Sequence, residues 1–243
     1  MHPIERLRYV ARAADVPIVM VVRESAGALT AFADDPMALL TACRRLLDRR
    51  PGSAPLVWLA ARMLTGPDPR SEAWDAVEQL DRDPTSRELE HALPEGCRVL
   101  VLGSPAGIGR ALRRRSDVTV MLVEGAGAGA AFADALVDAG CEVFDVPGSG
   151  IGVAATEADI VLLDAEAIGP DTSVVSAGSR AAAAVAVDAG RPVWLMAGVG
   201  LHLPARMWEA MLGRLERAEP WLSDTELLPR RPEGEGATPV LGL

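Results

Sequence analysis

The chain contains no lysine; all 24 of its basic residues are arginines. That excludes any mechanism built on a lysine Schiff base or a tyrosine–lysine pair, and a coding bias toward GC-rich codons accounts for it. Tyr9 is the single tyrosine. Cysteine is scarce as well: Cys43, Cys97 and Cys141 are odd in number and widely scattered. Neither a metal-ligand set nor a disulfide framework fits such spacing, and a reducing cytoplasm is the expected setting. No uncharged apolar run approaches the roughly 18 residues that a membrane-spanning helix needs. Near the start, Glu5, Arg6 and Arg8 stand where a signal peptide requires apolar residues, so export is not expected. Excess positive charge is missing too. A net charge of −10 and a pI near 4.8 argue against a general nucleic-acid footprint.

What is present is an ordinary globular composition, 49% hydrophobic and 24% charged, over a length that can bury a proper core. Residues 1–93 read as an all-helical domain. Ala28, Leu29 and Phe32 have helical spacing, and Met37, Leu40, Leu46 and Leu47 make a second apolar face entered by Pro36. Trp58, Leu59 and Met63 suggest a third helix, and Trp74, Val77 and Leu80 a fourth. Thr85 with Glu88 has capping-box spacing. The run Pro17 to Val22 fits either a strand or a helix start. From 94 to 218 short apolar, β-branched runs alternate with helical stretches: 98–102, 118–123, 142–146, 160–163 and 193–197. Continuous apolar strands imply burial on both faces. The expected fold is therefore α/β: a Rossmann-like parallel sheet of about five strands with helices on both faces. Residues 219–243, rich in Pro, Arg, Glu and Gly, read as a loose tail or an arm lying on a partner.

The loudest short motif is Val101-Leu102-Gly103-Ser104-Pro105-Ala106-Gly107-Ile108-Gly109. Its glycines resemble the turn of short-chain dehydrogenases, where backbone N–H groups reach a pyrophosphate. That family's Tyr-x-x-x-Lys is impossible here. Glu124, the candidate ribose holder, comes only about 15 residues after Gly109, against the usual 20 or so. An NAD(P)-dependent oxidoreductase is the disfavoured alternative, and no cofactor or metal is expected.

A longer pattern lies downstream. Ala158-Asp159-Ile160-Val161-Leu162-Leu163-Asp164-Ala165-Glu166-Ala167-Ile168-Gly169-Pro170-Asp171 is followed by Ser173-Val174-Val175-Ser176-Ala177-Gly178-Ser179, then by Gly190-Arg191-Pro192-Val193-Trp194. Val146-Pro147-Gly148-Ser149-Gly150-Ile151-Gly152 lies before it, and Arg23-Glu24-Ser25-Ala26-Gly27-Ala28-Leu29 far upstream. Together these resemble the translation initiation factor 2B alpha/beta/delta family, which includes methylthioribose-1-phosphate and ribose-1,5-bisphosphate isomerases.

The resemblance implies a symmetric dimer and a phosphorylated small-molecule ligand at the carboxyl edge of the sheet. It also locates the departures. The family's catalytic thiol falls at about Gly103 and its carboxylate on Glu166. The phosphate-gripping Asn-Lys falls near Ser176-Ala177, and an expected arginine is missing from Glu124-Gly125-Ala126-Gly127. Each lost acid/base or charged group costs roughly 100-fold or more, so isomerase turnover is not expected.

The candidate catalytic residue is Glu166, read either as a pocket carboxylate or as a loop acid capping the next helix. The candidate ligand-binding residues are Gly103, Ser104, Gly107, Ser176, Gly178, Ser179 and Arg180. Arg180 reads either as a stand-in for the missing lysine beside helix N-terminal N–H groups or as a solvent-exposed arginine, the latter slightly favoured. His202 reads as a loop histidine near the same edge, Cys97 and Cys141 as inert core thiols, and Arg113-Arg114-Arg115 as a solvated helix end. Three functions compete: a ligand-binding protein without isomerase chemistry, a subunit-type interaction module, and the oxidoreductase.

Overall fold

The computed structural model describes residues 17–123, 129–215, 219–229 and 240–241. They form two units, each with its own core.

The helical unit contains α1 (Ile18–Leu29), α2 (Pro36–Arg49), α3 (Ala54–Thr65) and α4 (Pro69–Asp81). Pro17 to Val22, open to two readings from sequence, resolves as the entry to α1. Two helices start by one device. Asp35 accepts hydrogen bonds from the N–H groups of Met37 and Ala38 with Pro36 in the first turn, and Asp68 does the same for Arg70 and Ser71 with Pro69. The aspartate satisfies orphan donors, while proline costs no hydrogen bond there. Leu29, Leu39, Leu46, Leu56, Leu59 and Met63 are fully buried at the centre. Trp74 is not part of that face: α4 buries Ala73, Ala76, Val77 and Leu80 and leaves the indole exposed.

The second unit is built on one sheet. Strands β1 (Arg98–Leu102), β2 (Thr119–Val123), β3 (Glu142–Val146), β4 (Ile160–Ile168) and β6 (Val193–Met196) are parallel, in the order β3-β2-β1-β4-β6. These are the five anticipated strands. Alternate residues face opposite ways, as the pleat requires. Leu100, Leu102, Val161 and Leu163 pack with α8 (Ile151–Glu157) and α9 (Ser179–Asp188). Val99, Val101, Val120 and Leu162 pack with α5 (Thr85–Ala92), α6 (Ala106–Leu112) and α7 (Gly129–Val137). Both faces are thus covered, which is why the strands read as continuous apolar runs.

Three further strands complete the sheet. β4 is nine residues long. Its first half pairs with β6, and its second half pairs antiparallel with β5 (Thr172–Ser176). The two segments meet at a tight hairpin, where the Gly169 N–H donates to the Thr172 carbonyl at 2.9 Å. β7 (Thr225–Pro229) pairs antiparallel with β5, and β8 (Val240–Leu241) pairs parallel with β6.

Packing draws the units differently from the expected division into 1–93, 94–218 and 219–243. α5 belongs with the sheet, where Ser86 and Leu89 are buried, while α10 (Ala205–Leu212) belongs with the helical unit. The segment expected as a loose tail supplies β7, whose Leu228 is buried in the sheet's core. Among the described residues no helix is long and apolar enough to cross a membrane.

Candidate functional site

The rim at the carboxyl end of β1 and β4 is assembled by the antiparallel extension. At the end of β1 the chain turns at Gly103, with φ of +66°, and its N–H donates to the Val123 carbonyl at 2.9 Å. Only glycine adopts that left-handed conformation without strain. A β-carbon at Gly103 would lie 4.0 Å from the Ser176 hydroxyl oxygen, so the end of β5 faces the first loop. Gly178, with φ of +90°, precedes α9; a β-carbon there would meet Ile151 at 3.2 Å and Leu102 at 3.3 Å. Gly103, Ser176 and Gly178 therefore do lie together. Ser104 is exposed on the same loop as Gly103, and Ser179 is buried in the first turn of α9.

Glu166 is placed within β4, not in a loop after it. Ala165 opposes Val175 and Ala167 opposes Val174, so Glu166 is the extra residue of a β-bulge. Bulges re-aim side chains and recur next to functional sites. The carboxyl of Glu166 is pushed above its usual range, first by burial among surrounding protein and then by the negative charge of Asp224. Its side chain nonetheless reaches solvent, and water screening keeps the push small.

The N-terminus of α9 is already occupied by a carboxylate. The Arg180 N–H donates to Glu226 Oε1 at 2.8 Å, and the Ala177 N–H donates to the Asp224 carbonyl at 2.8 Å. Carboxylates are favoured at helix N-termini by the exposed N–H groups and the helix dipole. Glu226 thus takes the place that an external anion would use, and the Arg180 side chain points its charge to solvent. Neither Asp224 nor Glu226 was legible as a rim residue, because both lie in the segment read as tail. The available signal was slight: the apolar pair Leu227-Leu228, of which Leu228 is buried, within an otherwise polar stretch.

Other candidates separate from the rim. Gly107 is buried: the Met196 Cε would sit only 2.0 Å from a β-carbon there, and the Ser86 hydroxyl donates to its carbonyl at 3.0 Å. Gly109 meets the Phe132 ring in the same way, at 2.5 Å. These two glycines let α6 approach its neighbours. Glu124 lies outside the described residues. His202 belongs to the helical unit.

Cys43, Cys97 and Cys141 are free and buried. Burial pushes the Cys43 thiol up to about 11 and raises those of Cys97 and Cys141, so none is a ready nucleophile. The Arg113-Arg114-Arg115 run is not simply a solvated face. Arg115 donates to the carbonyls of Glu90, Leu93 and Pro94 and pairs with Asp117 at 2.8 Å, and Arg114 pairs with Glu90 at 3.1 Å. The Arg115 guanidinium holds the Asp117 carboxyl well below the usual carboxylate range. No group of three or more His, Cys, Asp or Glu residues suited to a metal occurs among the described residues. A depression of about 420 Å³ on the helical unit is lined by Asp75, Glu78, Gln79, Arg82 and Val199, with Glu78 and Arg82 paired at 2.5 Å.

A parallel Rossmann-like sheet whose central strand runs on into an antiparallel pair, together with an all-helical unit, defines a recognisable class of α/β proteins. No protein-family model and no curated protein matches the chain. Solved structures do. The fold is that of translation initiation factor 2B subunits. The Pyrococcus horikoshii OT3 translation initiation factor eIF-2B aligns over 84% of this chain and 80% of its own, with TM-score 0.71 and 19% identity. Chaetomium thermophilum eIF2B delta aligns over 99% and 96%, with TM-score 0.74 and 14% identity. A chain of the tetrameric eIF2B-beta2-delta2 complex from the same organism aligns over 98% and 88%, with TM-score 0.74 and 19% identity. At these identities the likeness establishes the fold.

Proposed function

We propose that this chain is a divergent initiation-factor-2B-like protein acting in the cytoplasm as a non-catalytic subunit that self-associates. The observation carrying this reading is the carboxylate of Glu226 at the N-terminus of α9. The loop Ser176–Arg180 is where a phosphorylated ligand would have to be held, yet its helix terminus is filled from within. Glu166 and Asp224 add negative charge to the same rim. Like charge and the Arg180 N–H already taken by Glu226 both oppose an incoming phosphate. The acid/base thiol expected near the first loop is a glycine, Gly103, and the three cysteines are buried with raised pKa values. Likeness over nearly the whole chain to eIF2B delta and to a chain of the tetrameric eIF2B-beta2-delta2 complex supports a subunit role.

Sedimentation velocity of the purified chain, run beside an assay for turnover of ribose 1,5-bisphosphate and methylthioribose 1-phosphate, tests this reading. We expect a dimer or larger species and no turnover. A monomer at every concentration would overturn the subunit role, and turnover abolished by Glu166→Ala would overturn the absence of catalysis.

A second reading has one observation in its favour. Glu166 stands in a bulge, with its proton held more tightly than usual, on the same rim as Ser104 and Ser176. A carboxyl group and two hydroxyls suit a polyhydroxylated small molecule, phosphorylated or not. Thermal shift separates the readings, because a ligand at 100 times its Kd stabilises by about 2.7 kcal/mol.

A further inference from the structure

We infer that β8 is an edge guard: it occupies the backbone edge of β6 and so prevents that edge from pairing with a second copy of this chain. This inference goes beyond the subunit reading and does not rest on it. The parallel sheet has two ends, and they are protected in different ways. At one end β3 pairs only with β2 among the described strands. Its exposed Glu142 and Asp145 place charge on the edge, and it leads directly into Pro147. Charged side chains and proline are the usual means of keeping an open edge from recruiting another strand.

At the other end, β6 reads Val193-Trp194-Leu195-Met196 and contains no charged residue. Val193 and Leu195 face one core and Trp194 and Met196 the other, all packed inward. No side chain of β6 is left to carry a charge into solvent along its edge. A row of backbone N–H and C=O groups beside apolar side chains is a ready template for strand addition. In this structure the template is filled by Val240 and Leu241, which pair in parallel with Leu195 and Met196. Only two residues make the pairing, so the edge is covered by few hydrogen bonds and uncovering it requires only that this short strand detach. The occupant is this chain's own segment; a second copy's β6, or its β8, is what takes the edge once β8 is gone.

The test replaces both β8 residues with proline, Val240→Pro with Leu241→Pro. This removes two backbone donors whichever way each faces. Sedimentation velocity of the double variant over a concentration series is compared with that of the unmodified chain. We expect a species at least twice the mass of the unmodified chain's, growing with concentration. It should revert when a peptide spanning residues 237–243 is added in excess. A mass distribution identical to that of the unmodified chain would overturn the inference, as would association that the peptide leaves unchanged. Should circular dichroism show the double variant unfolded, hydrogen exchange on the unmodified chain decides. Protection of the β6 amides that face β8, comparable to that in β1, supports the guard, and rapid exchange of those amides overturns it.

Discussion

The five parallel strands and the antiparallel pair β5–β7 belong to one sheet, yet they do different work. In the parallel part each central strand is sandwiched between helices, and four of the five residues in β1 and in β2 are buried. In the extension, β7 buries Leu228 and leaves Thr225, Glu226 and Leu227 partly open. The parallel part supplies stability; the extension supplies the charges of the rim, namely Glu166 at the bulge, Asp224 and Glu226. Glu166 is exposed at its bulge and Glu226 only partly buried, so these carboxylates can change without disturbing the core. That separation lets the charges of the rim vary while the fold shared with initiation-factor-2B subunits persists.

The comparison breaks first, and most visibly, in the core. Leu100→Ala, at a fully buried site in β1, is expected to cost about 3–5 kcal/mol in urea unfolding. Leu228→Ala in β7 should cost about 2 kcal/mol. Equal losses would show that the extension is core rather than appendage.

Next in size, Gly107→Val drives a side chain into Met196 and should cost about 1–3 kcal/mol by overpacking. It should leave the oligomeric state and any ligand response untouched, since Gly107 is not on the rim. Glu226→Ala removes the carboxylate from α9 and should cost about 0.3–1 kcal/mol, read as a small fall in melting temperature.

The smallest effects have opposite signs with pH. Asp117 has a folded pKa below its unfolded value. Its contribution is therefore present above the unfolded pKa and fades as pH falls toward the folded one. Asp117→Asn should be less stable than the unmodified chain at neutral pH, with the difference closing in acid. Glu166 has a folded pKa above its unfolded value, so the folded state holds its proton more tightly and stability declines as pH rises between the two. Glu166→Gln should flatten that decline slightly. Urea titrations at several pH values check both, and matching signs would contradict the opposite environments of the two carboxyls.

The parallel part was readable from sequence because its rule is simple. Runs such as Val99-Leu100-Val101-Leu102 are apolar on both faces, and little besides a covered parallel strand demands that. The extension was not, for two physical reasons. Ser173-Val174-Val175-Ser176 is a short strand with polar ends, easily taken for the loop between a strand and a helix. Thr225 to Pro229 sits in a stretch whose Pro, Arg, Glu and Gly content suggests a tail, although Leu228 packs inward. Glycine spacing misled in the other direction. Gly103 does turn the chain at the rim, but Gly107 and Gly109 are small because Met196 and Phe132 press on α6. Spacing alone cannot tell a glycine that admits a phosphate from one that admits a neighbouring side chain. Gly103, Ser176 and Gly178 were brought together by order along the chain. Glu226 escaped because its partner, the Arg180 N–H, lies 46 residues away in sequence.

The claim that the rim is closed to anions by Glu226, with Glu166 and Asp224 beside it, is tested most directly by the melting temperature of the full chain. It is measured with and without excess ribose 5-phosphate at constant ionic strength. The account predicts no shift. A rise that disappears in Arg180→Ala would contradict it.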